Sequence, residues 1–420
     1  MSELAASTGG GGQGDSARRV GLLSLPVIVA ALGYFVDLYD LLLFGIIRVP
    51  SLKALGVPAG QLLETGTHLL NMQMIGMLLG GILWGVLGDR RGRLSVLFGS
   101  IILYSLANIA NGLVQTVDQY AAMRLVAGIG LAGELGAGIT LVSETVDKER
   151  RGLATTIVAG VGICGALLAV WVSRHATWHV AYFIGGGLGL ALLALRIGVL
   201  ESGMFKRIAR QEVSRGNFFA LFTDRGRLTR YLSVILSGVP IWYFIGVVVI
   251  FSPELGKALG MDDPPVAANA IFWAYFGLAL GDFGSGWTSH FLRSRKRALR
   301  VFIVAEAVTV AVLFVVGTRS ATTYYACCVL AGFAAGYWAV FVTVGAEQFG
   351  TNLRATAATT VPNFVRGMVP LLTTSFTTLG HRVGLPTSAM VVGGVTMLLA
   401  FVATFGLEET FGKDLDYVEE

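Results

Sequence analysis

Apolar runs of about 20 residues, the length a helix needs to cross a bilayer, recur from one end of this chain to the other. The composition agrees: of 420 residues 54% are hydrophobic and only 14% charged, where a soluble domain carries about a quarter charged. Twelve spans can be drawn, at 20–47, 66–88, 94–113, 119–143, 152–173, 177–199, 231–252, 266–289, 299–318, 321–346, 355–379 and 387–407. An even number puts both termini on one side. Of the 31 lysines and arginines, only Arg48, Lys53, Arg174, Lys257, Arg319 and Arg382 fall in loops on the opposite side. Short basic loops stay cytoplasmic, so both termini are expected inside, in the cytoplasmic (inner) membrane. The formal net charge of +5 then reflects those loops and gives no reason to expect nucleic acid as a partner.

Residues 1–19 form a polar, glycine-rich tail expected to be disordered. Arg18-Arg19 before an apolar run imitates an export signal, but the run holds Asp37 and Asp40 and no Ala-x-Ala site, so it reads as a retained first helix. Cys164, Cys327 and Cys328 all lie in apolar segments, which gives no disulfide framework. The five histidines lack ligand spacing, so no metal is expected. No Gly-Lys-Ser/Thr phosphate loop is present, and no nucleophile–histidine constellation points to an enzyme. No cofactor is implied.

Residues Gly85-Val-Leu-Gly-Asp-Arg-Arg-Gly-Arg93 join the second span to the third. Their charges belong at a bilayer surface, and Asp89 can accept hydrogen bonds from arginines of a neighbouring element. The chain also repeats. Glu144 leads to Arg151 seven residues on, Glu347 leads to Arg354 seven residues on, and the two pairs are 203 residues apart. The turn Gly286–Arg297 falls about 201 residues after Gly85–Arg93, with His290 in place of the aspartate. These features resemble the major facilitator superfamily, whose loop pattern is matched by Gly85, Asp89, Arg90, Gly92 and Arg93. Arg124-x-x-x-Gly128-x-Gly130-x-x-Gly133-Glu134 looks like the matching helix of the sugar porters and metabolite:proton symporters within it, and Tyr39-Asp40 looks like the Tyr-Asp pair of the latter. The resemblance implies an all-α membrane protein of twelve helices in two pseudo-symmetric six-helix bundles: 20–200 and 231–408, a connector at 201–230 and a tail at 409–420. It also implies that Gly85, Asp89, Arg90, Arg93, Glu144, Arg151, Glu347 and Arg354 act as gating latches.

Ionisable groups inside spans are costly and so are candidates for function. They are Asp37, Asp40, Arg124, Glu134, Asp282, Glu306 and Arg366, and their repeat mates are uncharged. Asp37 and Asp40 share a helix face one turn apart. Two close carboxylates in a low dielectric do not both ionise readily, which suits proton coupling; the plainer reading is a cap or a fixed arginine pair. Glu134 would either carry a proton or hold an arginine of another helix. Arg366 with Asn363 forms one stripe between two prolines, and its planar fork fits a carboxylate; a structural pair with Asp282 or Glu306 is the alternative. Asp282 would be a relay or a cavity wall, and Glu306 is the weakest candidate, since ninth helices lie outside the cavity in the resembled superfamily. Tyr34, Trp242, Tyr243, Trp273 and Tyr337 would line a cavity or simply pack. The expectation is a monomeric secondary transporter, a proton-coupled symporter of a small organic anion or zwitterion. A proton-antiport exporter is the alternative within transport, and a non-transporting receptor the alternative outside it.

Overall fold

The computed structural model describes residues 25–91, 93–134, 151–201 and 218–412, and these form helices and turns with no strand among them. The first half holds α1 (Leu25–Ala54), α2 (Leu62–Arg91), α3 (Arg93–Asn111), α4 (Val117–Leu131), α5 (Arg151–His175) and α6 (Trp178–Glu201). The second holds α7 (Arg225–Tyr243), the short α8 (Ser252–Ala258), α9 (Ala267–Phe291), α10 (Arg295–Val316), α11 (Ala321–Ala335), α12 (Trp338–Glu347), α13 (Thr351–Gly367), α14 (Val369–Val383) and α15 (Leu385–Ala403). Pairs α11/α12 and α13/α14 are single spans interrupted at mid-length, so the described residues of each half make six crossings. Seven spans among the described residues are long and apolar enough to cross a membrane by length and composition.

Helix starts follow the sequence. Thr116, Asp224, Ser294 and Ser320 each accept a hydrogen bond from a backbone N–H three residues on, capping α4, α7, α10 and α11. Pro240 lacks the donor that α7 needs, and the helix widens into a π-turn at Phe244–Val249. Gly384, at φ 84°, makes the turn from α14 to α15.

Two crossings set the bundle geometry, and both depend on glycine. A Cβ at Gly76, Gly80 or Gly128 would strike the backbone carbonyl of Leu125, Ile129 or Gln73, so α2 and α4 touch backbone to backbone. A Cβ at Gly277, Gly281 or Gly332 would strike Val329, Phe333 or Ala274 in the same way, joining α9 to α11. An offset of 201 residues maps the α2 set onto α9, and 204 maps the α4 set onto α11. The repeat is thus a repeat of contact, not only of motif.

The two halves are tied at the end holding the α1–α2 turn. Arg48, fully buried, donates to Glu254 at 2.8 Å and to the carbonyls of Leu62 and Ile250, with its guanidinium 4.6 Å from the Phe251 ring centre. Arg174 donates to Asn269, Thr373 to Asn71 at 2.6 Å, and His381 lies 3.3 Å from Glu64. At the opposite end Glu347 is held by Arg295 at 3.4 Å and by Thr410 at 2.6 Å. Arg295 follows Arg93 by 202 residues, so the degenerate turn keeps an arginine within one residue of that place. The side chains of Asp89, Arg90, Arg93 and Arg151, and all of Glu144, lie outside the described residues.

Candidate functional site

Both glycine-packed helices break one turn beyond their close contact. In the first half α4 ends at Leu131 and turns through Ala132–Gly133; in the second, α11 ends at Ala335 and the chain turns through Gly336–Tyr337. A break strands backbone groups that hydrocarbon cannot satisfy. Trp84 Nε1 donates to Ile129 O at 2.6 Å, and Asn363 Nδ2, from the other half, donates to Ala132 O at 2.9 Å. Asp282 Oδ1 accepts from Ala339 N at 3.1 Å and its carboxylate also faces Trp338 N, capping α12, which has no cap of its own. Asp282 therefore serves a helix terminus as well as facing the interior.

Beside these breaks the halves meet at Asp37 of α1 and Arg366 of α13. The pair is 3.7 Å apart, and both side chains are essentially inaccessible, at 0% and 1% exposure, so in hydrocarbon each charge depends on the other. The distance exceeds that of a hydrogen bond. Neither Asp37 oxygen, nor Arg366 Nε, nor one of its terminal nitrogens has a hydrogen-bond partner. The guanidinium lies 5.4 Å from the Trp242 ring centre and 5.6 Å from that of Trp338, within cation–π range of both. The two indoles meet edge to face at 6.4 Å. Trp242 Nε1 and Asn363 Oδ1 are buried without partners as well. Tyr34, packed on Gly162 of α5, and Tyr275 of α9 both lie within electrostatic reach of Asp37 and Arg366.

Asp40 goes elsewhere. It packs on Gly185 of α6 and faces Arg124 and Asn108 inside the first half. Arg124 sits 5.2 Å from the Phe44 ring and donates to the Tyr182 hydroxyl at 3.4 Å. One helix face therefore serves two different arginines. Glu134 is held by a third: Arg196 of α6 grips both of its oxygens, one at 3.0 Å, with Gly33 of α1 leaving room for the pair. Of the remaining aromatic candidates, Trp273 is 39% exposed and packs on Phe272 and Phe276 at the bundle surface. Tyr243 donates to Ala389 O at 2.7 Å, and Tyr337 donates to Ser237 O at 3.1 Å, both within the second half.

Sequence reasoning missed Trp338, Tyr275 and Arg196. Arg196 stood in a span and was available as the partner for Glu134. Trp338 gave no signal of its own, standing in an apolar run just after Gly336-Tyr337. No cluster able to hold a metal occurs among the described residues.

The family model for the Major Facilitator Superfamily matches residues 30–373. The chain belongs to that superfamily. Among proteins similar to this facilitator is a probable 4-methylmuconolactone transporter of Cupriavidus pinatubonensis, 25% identical over 92% of this chain and 91% of its own. Another is the 3-(3-hydroxy-phenyl)propionate transporter of Escherichia coli, 27% identical over 74% of this chain and 78% of its own. The solved structure of the proton:xylose symporter XylE bound to 6-bromo-6-deoxy-D-glucose shares the fold. It has a TM-score of 0.69 at 18% identity and covers 93% of this chain and 97% of that one. This facilitator is thus an integral membrane transporter of a small molecule and not an enzyme.

Proposed function

We propose that this facilitator carries a small aromatic carboxylate together with a proton, by alternating access. The observation that carries this reading is the buried Arg366, faced by two indoles and paired with Asp37 at 3.7 Å rather than hydrogen-bonded to it. A guanidinium fork fits a carboxylate. Its open donors, with Trp242 Nε1 beside them, would hold the two oxygens of a substrate carboxylate. A flat ring would lie against the indoles, and the unpaired Asn363 Oδ1 would accept from a ring hydroxyl. The name of the Escherichia coli relative describes such a molecule.

Charge balance links the proton to the substrate. With the site empty, Arg366 and Asp37 cancel. A substrate carboxylate adds a second anion to one cation, in a medium that penalises unbalanced charge. Asp37 then takes a proton, and neutrality returns. Both the empty and the doubly loaded states are neutral and free to reorient; the half-loaded states are charged and are not. Under this reading the halves 20–200 and 231–408 rock about the Asp37–Arg366 pair, joined by 201–230. The end closed by Arg48–Glu254 faces outward from the cytoplasmic membrane, both termini face inward, and one chain suffices.

Uptake into proteoliposomes with an inside-alkaline interior tests this. The expected result is protonophore-sensitive accumulation of 3-(3-hydroxyphenyl)propionate, with no accumulation of xylose or betaine. Accumulation only when the gradient is inverted would overturn symport in favour of export, and preference for an aliphatic acid would overturn the substrate class.

A further inference from the structure

Glu306 of α10 is buried at 0% exposure and forms no ion pair with any described residue. Neither of its oxygens makes a hydrogen bond of ordinary geometry. Of the titratable groups on the helices packed against α10, those that face it are tyrosines: Tyr337 at the α11–α12 break and Tyr243 of α7. A carboxylate in that setting, without a cation, is far costlier than the neutral acid. Arg366 and Asp37 do not serve it; it belongs to a separate cluster within the second half.

The cluster is placed to matter. Tyr337 touches the Glu306 carboxyl and donates to Ser237 O of α7 at 3.1 Å. The next residue is Trp338, and Trp242 lies beyond Pro240 on the same α7. Glu306, Tyr337 and Ser237 thus join, from behind, the two helices that carry the indoles at Arg366. Both helices are interrupted there, α11–α12 by its break and α7 by its π-turn, so this is where the half can flex.

We propose that Glu306 is a second proton-binding site, loaded in this conformation and discharged when α7 and α12 part and water reaches it. The inference rests on the transport reading above and adds a charge to it. With Asp37 alone, symport of a monocarboxylate is electroneutral. With Glu306 also cycling, the unloaded carrier returns with this carboxylate ionised and hydrated, so the neutrality condition applies to the Asp37–Arg366 site alone and each turnover moves net positive charge inward.

Uptake of 3-(3-hydroxyphenyl)propionate should therefore be stimulated by an inside-negative potential set with valinomycin at fixed pH gradient. Glu306→Gln, a neutral mimic of the loaded acid, should lose that response while keeping gradient-driven uptake. Tyr337→Phe should weaken the response without abolishing uptake. Wild-type uptake driven by pH but indifferent to potential overturns the Glu306 role and leaves the symport reading standing. Infrared spectroscopy gives a readout independent of flux: a protonated-carboxyl band present at neutral pH should be missing in Glu306→Gln. If no band is lost, Glu306 is ionised and the proposal fails.

Discussion

Arg48 of α1 and Glu254 of α8 lie 2.8 Å apart and join the first half of the chain to the second. Arg48 is fully buried by ring and backbone contacts, while Glu254 keeps 16% side-chain exposure, so the bond sits where water would enter if the halves parted. Removing it with Arg48→Leu forfeits a hydrogen bond between charged groups, roughly 1.5–3 kcal/mol, which shifts an open–closed balance by about tenfold or more. Spin labels on the exposed Lys53 and Lys257 should then show a longer mean separation. An unchanged distance distribution would remove this pair as a clamp.

Glu134 and Arg196 make a buried two-point ion pair, with side chains 2% and 5% exposed. Breaking it strands a charge, so Glu134→Gln should destabilise the protein by about 3–5 kcal/mol. Adding Arg196→Met should recover most of that loss in a thermal-unfolding assay. A Glu134→Gln protein as stable as wild type would contradict a stabilising charged pair here.

Glycine substitutions separate contact from composition. Gly277→Ala drives a Cβ into the Val329 carbonyl, whereas Gly187→Ala meets nothing within 4 Å. The first should cost about 1–3 kcal/mol by overpacking, and the second should be neutral or slightly stabilising because alanine favours helix. The same assay compares them. Equal melting temperatures would contradict the crossing described for α9 and α11.

Glu409 gives a pH dependence outside the membrane. Partial burial pushes its carboxyl up, but hydrogen bonds from the Ser294 hydroxyl and the N–H groups of Arg295, Phe411 and Lys296 outweigh it and hold it below the ordinary glutamate range. A depressed acid stabilises the folded state above its unfolded pKa, near 4.5, and loses that contribution as pH falls through the lower folded value. The tail from Leu407 to Gly412 should therefore resist proteolysis at neutral pH and loosen below about pH 4. Glu409→Gln should be loose at every pH. Equal tail protection in the two proteins would refute the anchor.

What could be read from the sequence was whatever depends on hydropathy and spacing. The twelve spans, the offset between halves and most of the buried charges follow from one-dimensional pattern, because a bilayer filters so strongly for apolar length; buried Arg48 and Arg196 escaped it. The helix breaks were invisible, since Leu131–Gly133 and Ala335–Tyr337 stay apolar throughout and hydropathy does not register a lost hydrogen bond. Partner choice was invisible too. Asp37 and Asp40 share a face, yet a small rotation about α1 sends one across to Arg366 and the other inward to Arg124. Asn363 shares the Arg366 stripe, yet its amide nitrogen is committed to Ala132 and Thr359, which leaves only the oxygen free.

Proton uptake on binding tests the central claim most directly. Calorimetric titration of 3-(3-hydroxyphenyl)propionate in buffers of differing ionisation enthalpy should show the wild-type protein taking up a proton per substrate near neutral pH. Asp37→Asn should bind without taking one up, and Arg366→Lys should bind about tenfold or more weakly, having lost the fork. Undiminished proton uptake in Asp37→Asn, or none in the wild type, would contradict the exchange of Asp37 for a substrate carboxylate at Arg366.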